Sequence, residues 1–254
     1  MHGQFFWYDL ITTDTKAAAK FYGAVVGWQT QDSGTPGHDY TLFTVDGVGR
    51  LGLMSPPKDM PKMPPVWMGY IAVDDVDKAA AQIKTLGGAL GREPVEVPNV
   101  IKFAPVSDPQ GVGFLIAKGL VHDAMPKVAP GTPGMIGWHE LFAADGTTAL
   151  DFYEKMFGWT KSESFDMGAM GIYQLFKTGG ELDAGGCMTK PQDMPAPPHW
   201  AYYINVPAIR DAATRVTDNG GKILMGPHQV PGELWIVQCM DPQGAAFNLL
   251  APKE

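Results

Sequence analysis

Two stretches of this 254-residue chain are copies of one another. Trp7-Tyr8-Asp9-Leu10 is followed by Phe21-Tyr22 and Gly27-Trp28. Trp138-His139-Glu140-Leu141 is followed by Phe152-Tyr153 and Gly158-Trp159, each residue 131 positions after its partner. The match continues at an offset of 133. Tyr40-Thr41-Leu42-Phe43 answers to Tyr173-Gln174-Leu175-Phe176, Trp67 to Trp200, and Asp108-Pro109-Gln110-Gly111 to Asp241-Pro242-Gln243-Gly244. The second copy therefore carries two more residues between Trp159 and Tyr173. A chain repeated in this way must be built from two like modules.

Within one copy the pattern predicts strands and helices in alternation. Residues 5–12 are aromatic and β-branched, which suits a strand. Thr13-Asp14 can cap a helix whose apolar residues Ala18, Phe21, Tyr22 and Val25 fall on one face. That helix stops at Gly27. Residues 29–38 read as a loop or ragged strand. Tyr40–Val45 and Arg50–Met54 form a hairpin around Asp46-Gly47. Residues 55–65 hold five prolines and form a crossover. Residues 66–73 are a strand, and Asp74-Asp75 can cap a helix with Val76, Ala79, Ala80, Ile83 and Leu86 on one face. Gly87-Gly88 ends it. Residues 100–106 and 112–117 are the last strands, joined by the Asp-Pro-Gln-Gly turn. Each copy is thus a pair of βαβββ units. The expected class is α+β, with curved, partly closed mixed sheets whose concave faces make pockets. The expected division is 1–118, a Pro- and Gly-bearing linker at 119–133, and 134–254.

Composition narrows the function. The net charge is −8 with no block of Lys or Arg, so neither nucleic acid nor an anionic membrane is an expected partner. No uncharged apolar run reaches the length of a membrane span, and the start of the chain has no leader-like pattern. Two cysteines, Cys187 and Cys239, stand in no metal-type spacing and read as free thiols. A soluble, cytoplasmic protein is expected, monomer or homodimer. There is no Gly-rich phosphate loop, G-x-S-x-G elbow, H-E-x-x-H or C-x-x-C.

The doubled pattern resembles the vicinal oxygen chelate superfamily of glyoxalases, bleomycin-resistance proteins and extradiol dioxygenases. The residues that carry the likeness are the strand with its acid, Phe-Tyr, Gly-Trp, the Trp-x-x-Tyr-Ile strand and Asp-Pro-x-Gly before the last strand. The resemblance covers nearly the whole chain and implies the tandem glyoxalase-like fold. Metal-dependent members place His, Glu or Gln on the first, a middle, the fifth and the last strand. The corresponding residues here are Trp7 and Trp138 on the first strand, Tyr70 and Tyr203 on the fifth, and Leu115 and Asn248 on the last. The middle position falls near Leu51–Leu53 and Asp183–Gly186. None of the placed positions supplies a histidine or an acid, so no metal or other cofactor is expected.

Three readings stay open. In the first, a small molecule, with an aromatic one fitting best, sits in a concave pocket of Trp7, Asp9, Tyr70, Trp138, Glu140, His199, Tyr203 and Asn248. Alternation along the first strand puts Trp7 and Asp9 on one face and Leu10 on the other. An acid among aromatic rings can hold a ligand donor or act as a base, or simply bond a neighbouring N–H. In the second, a metal-dependent lyase or dioxygenase has a displaced site in the second module, built from His139 or His199 with Glu140. His139 takes the slot of Tyr8, whose phase faces the helices, where a satisfied buried side chain is the plain expectation. In the third, the protein is structural, with degenerate sites. Trp67 and Trp200 are expected in the core, and Asp108 and Asp241 in turns without chemistry. His38, His228 and Glu233 lie in loops. Arg50 and Lys102 are strand-borne cations that suit either a solvated face or an anionic ligand.

Overall fold

The structure is a computed structural model describing residues 1–35, 39–120 and 126–254. His38 and the middle of the expected linker lie outside the described residues. The first copy runs β1 (Phe5–Ile11), α1 (Thr15–Val26), β2 (Gln29–Asp32), β3 (Tyr40–Val45), β4 (Val48–Met54), β5 (Val66–Ala72), α2 (Val76–Thr85), β6 (Ala89–Leu90), β7 (Val95–Val97), β8 (Ile101–Ser107) and β9 (Gly113–Gly119). The second runs β10 (Ile136–Ala143), α3 (Gly146–Phe157), β11 (Thr160–Asp166), β12 (Ile172–Lys177), β13 (Gly185–Thr189), β14 (His199–Asn205), α4 (Ile209–Asp218), β15 (Lys222–Val230), β16 (Leu234–Met240) and β17 (Ala246–Ala251).

The class is α+β, with one curled mixed sheet per copy. Strand order is β2-β3-β4-β1-β5-β9-β8-β6 in the first, with β7 on β8, and β11-β12-β13-β10-β14-β17-β16-β15 in the second. β1 runs parallel to β4, and β5 to β9, because each such pair is joined through a helix or a crossover.

The helices form where capping and periodicity agree. Asp14 accepts from the Ala17 N–H at 2.9 Å, and Ala18, Phe21, Tyr22 and Val25 are the buried face of α1. Gly27 and Gly158 end α1 and α3 at φ of 91° and 72°, a left-handed turn that a side chain resists. Asp75 and Asp145 cap α2 and α3. Ala208 at the start of α4 offers no side-chain cap.

Of the loop or ragged strand expected at 29–38, residues Gln29–Asp32 form the strand β2. Its four residues are all exposed, so they carry no alternation of polarity, and their pairing to β3 alone defines the strand. β6 and β7 are likewise short edge pieces held by β8.

The chain divides into two compact units. One gathers Met1–Phe6, Gly69–Lys127 and His139–Trp200; the other gathers Trp7–Met68, Val128–Trp138 and Ala201–Glu254. Each unit thus draws on both sequence copies. In the first unit, Phe114 of β9 lies against Phe152, Tyr153 and Phe157 of α3, and Trp159 stacks on Tyr153 and Phe176. Trp200 donates its indole N–H to the Tyr153 hydroxyl at 3.1 Å, and that hydroxyl donates to Asp108 Oδ2 at 3.1 Å. The second unit repeats the relay with Trp67, Tyr22 and Asp241, at 3.0 and 3.1 Å. Asp108 and Asp241 also accept two backbone N–H groups each across their own turns. The Asp-Pro-Gln-Gly turns therefore hold buried carboxylates that tie one copy's last hairpin to the other copy's first helix. Burial raises both acids above the usual range, opposed by these donors.

Candidate functional site

In the second unit β1 sets the first group of site residues. Asp9 lies opposite Gly52 of β4 in the parallel register. A side chain at Gly52 would collide with both neighbours: a Cβ there would lie 1.9 Å from Tyr40 Oη and 2.1 Å from Asp9 Oδ1. Glycine is thus what lets the acid and the phenol meet over the backbone. Tyr40 donates to Asp9 Oδ1 at 2.5 Å, and the Trp7 indole N–H lies 3.0 Å from the same oxygen and 2.8 Å from Tyr40 Oη. Asp9 is 2% exposed. Burial pushes the Tyr40 hydroxyl well above its ordinary range, and the adjacent Asp9 carboxylate adds to this, so Tyr40 stays a donor. A buried acid with two donors on one oxygen fixes the orientation of an indole and a phenol. On the opposite phase, Leu10 is fully buried and Tyr8 meets Tyr202 edge-on at 5.2 Å.

The same unit holds a cross-strand row of Tyr203, Asn248 and Gln238, with Tyr203 opposite Asn248 and Asn248 opposite Gln238. Gln238 donates to Tyr203 Oη at 3.3 Å, and Asn248 Nδ2 to the Tyr202 carbonyl at 3.4 Å. Trp138 also belongs to this unit.

The first unit carries the counterpart acid. Glu140, 8% exposed, lies opposite Gly186, where a Cβ would stand 2.2 Å from Tyr173 Cζ. Tyr173 therefore comes over Gly186 as Tyr40 does over Gly52. His139 points the other way. It stacks on Phe5 at 4.3 Å, its Nδ1 lies 2.7 Å from the Ala184 carbonyl, and desolvation lowers its pKa to about 4. It is a neutral ring in a sheet face at neutral pH. His199 stacks on Phe142 at 5.2 Å and its Nδ1 lies 2.8 Å from the Pro197 carbonyl. Its pKa is lowered, first by burial. Phe142 is two residues beyond Glu140, so His199 covers the face that Glu140 shares. Tyr70 lies opposite Leu115 and Leu115 opposite Pro105, an apolar row beside Phe103 and Phe6.

The registers test the donor set for a metal. Tyr70 pairs with Leu115, and Tyr203 with Asn248, across neighbouring parallel strands. Gly52 and Gly186 stand opposite Asp9 and Glu140 on the middle strands. Among the described residues, no three of His, Cys, Asp and Glu gather as a metal site would require.

Tyr40, Tyr173 and Gln238 are partners that sequence reasoning missed. The only signal for Tyr40 and Tyr173 was their repetition at an offset of 133, since the pairing of Tyr40 with Asp9 spans 31 residues; Gln238 had no such counterpart. Trp67 and Trp200 are buried, each donating to a tyrosine hydroxyl. Lys102 pairs with Asp77. Arg50 is not on a solvated face: it is 7% exposed, because it stands between Leu51 and Gly49 in an interior strand.

Comparisons with known proteins agree with this architecture. The profile of the Glyoxalase/Bleomycin resistance protein/Dioxygenase superfamily matches residues 4–116 and again 135–249. A Mycobacterium tuberculosis protein named as a glyoxylase, CFP32, is 33% identical over 250 residues, covering 97% of this chain and 94% of its own. The anthracycline biosynthesis protein DnrV of Streptomyces peucetius is 29% identical over 262 residues, covering 98% and 93%. Among solved structures, the Mn(II)-bound glyoxalase from Novosphingobium aromaticivorans superposes with a TM-score of 0.67 at 17% identity, over 100% of this chain and 83% of that one. The 2,2',3-trihydroxybiphenyl 1,2-dioxygenase of Sphingomonas wittichii RW1 gives 0.68 at 13% identity, over 99% and 91%. These two likenesses are of fold. No helix is long and apolar enough to cross a membrane among the described residues. With two profile matches over most of its length, the chain belongs to the Glyoxalase/Bleomycin resistance protein/Dioxygenase superfamily, in two tandem copies.

Proposed function

We propose that the protein binds a small organic ligand, aromatic in character, on the ring-lined concave faces of its sheets, without a catalytic metal. The observation that carries this reading is the Trp7–Asp9–Tyr40 cluster. On β1 the buried acid is engaged by an indole and a phenol, which it holds side by side. Asp9 and, by its matching register, Glu140 then serve as framework groups that present rings to a ligand. Tyr70 and the Tyr203–Asn248 pair extend the same character, and His199 contributes a neutral ring. The relative named for anthracycline biosynthesis favours this chemistry, since an anthracycline is a fused aromatic system of the shape that indole and phenol rings accept. We place the protein in the cytoplasm, as monomer or homodimer, with modules at 1–118 and 134–254; the two cysteines are buried free thiols.

A thermal-shift screen of fused aromatic and heterocyclic compounds tests the reading, because a ligand that binds only the folded state raises its apparent stability. Hits are expected on the wild type and lost on Trp7→Ala or Trp138→Ala. An empty screen, with side chains filling both concave faces in a crystal structure, would favour the structural reading instead.

A further inference from the structure

Arg50 is a charged group that the proposed function leaves unused. It is 7% exposed. Its Nε–H meets no acceptor among the described residues, and no ion pair there involves it. A buried donor left unmet forfeits its desolvation energy, and a buried charge does so more severely. The net charge of −8 makes a cation without a partner more conspicuous.

The sheet places it. Asp9 faces Gly52 in the parallel register; Arg50 lies two residues before Gly52 on β4, as Trp7 lies two before Asp9 on β1. Leu51 and Leu53, each 1% exposed, take the phase of Phe43 in the core. Arg50 therefore shares its face with Gly52, Asp9 and Trp7. The β3–β4 ladder also slips at this point: Phe43 faces Leu51 while Thr44 faces Gly49, leaving Arg50 as the extra residue of a bulge. Bulges beside sites re-aim a side chain. In the second copy Glu140 faces Gly186, so the slot beside Trp138 is Ala184, which has no charge. The repeat has thus kept the indole in both copies and the cation in one.

We propose that Arg50 recognises the carboxylate of an aromatic acid bound in the first module, with the Trp7 indole against its ring, and that the second module does not select for charge. This rests on the ligand-binding reading and names its substrate class. A guanidinium receives a carboxylate through two parallel N–H donors. Asp9 in the same row disfavours a phosphate dianion. The acidic molecule gives an anion no long-range steering, so selectivity comes from this short-range contact.

Thermal denaturation with benzoate, benzamide or inorganic phosphate tests this on the wild type, Arg50→Lys and Arg50→Met. Benzoate should raise the wild-type Tm more than benzamide does. Arg50→Met should lose that excess, with benzoate affinity falling roughly tenfold or more, as expected for loss of a charge-assisted bond. Arg50→Lys should retain part of it. Without ligand, Arg50→Met should unfold at a higher temperature than the wild type, because it removes an unpaired buried charge. A lower ligand-free Tm for Arg50→Met makes Arg50 a structural residue and overturns the proposal. So does an equal benzoate excess in Arg50→Met, no excess in the wild type, or a larger shift with phosphate. Equal shifts from benzoate and benzamide remove the role of Arg50 while leaving the binding reading intact; that reading falls only with the wider aromatic screen.

Discussion

His139 shows how one residue separates two like strands. It stands where the first copy has Tyr8, on the buried phase, and its pKa is lowered to about 4 chiefly by desolvation. The unfolded chain takes up this proton near pH 6.5 and the folded chain only near 4. Stability is therefore full above about pH 6.5 and falls as pH drops towards 4, by roughly 3 kcal/mol for a shift of this size. His139→Phe should abolish that part of the acid slope. The Ala184 carbonyl would still accept the backbone N–H of residue 139, at 3.2 Å in the present structure. Urea midpoints of both proteins between pH 4 and 7 measure it, and parallel curves would contradict the assignment. Gly52 and Gly186 make a second residue-scale prediction. Either one changed to Ala should lower stability by about 1–3 kcal/mol through overpacking, since the added Cβ meets Tyr40 and Asp9, or Tyr173. Chemical denaturation of each variant reads this, and a neutral result would mean the acid and phenol can part freely.

At the scale of elements, the helices were legible because caps and the three-to-four-residue spacing agree, as in α1. β2 was not, since its residues are all exposed. The site was legible only in part. Alternation along β1 put Trp7 and Asp9 on one face, but Tyr40 reaches Asp9 from 31 residues away, and the β3–β4 register that sets Leu42 opposite Gly52 passes through a bulge. For the same reason Arg50 could be read as solvated. The Trp–Tyr–Asp relays were visible as repeated residues but not as partners, because each joins residues of different copies. Tyr22→Phe removes the donor to Asp241 and the acceptor of Trp67, and should cost about 1–3 kcal/mol. Asp241 already has a raised pKa, and without Tyr22 it rises further. The penalty should thus be larger at pH 7, where the acid is ionised, than near pH 4. Equal penalties at the two pH values would show that Asp241 is not the partner that matters.

Across the whole molecule, each compact unit combines parts of both copies. Phe114 and Asp108 of the first copy have their ring and hydroxyl partners on α3 of the second, and Tyr22 has Asp241. Residues 1–118 and 134–254 made separately should each lack a cooperative unfolding transition of the full-length kind. Mixed in equal amounts, they should regain it, as circular dichroism against temperature would show. Two pieces that each unfold as full-length-like monomers would contradict this.

The central claim is that these sites hold an organic ligand on rings and not an ion on ligands. Elemental mass spectrometry of protein purified without chelator from metal-supplemented medium tests it most directly. The account predicts well under one equivalent of Mn, Fe, Ni or Zn per chain. A full equivalent of one of these, lost on Glu140→Ala, would contradict it.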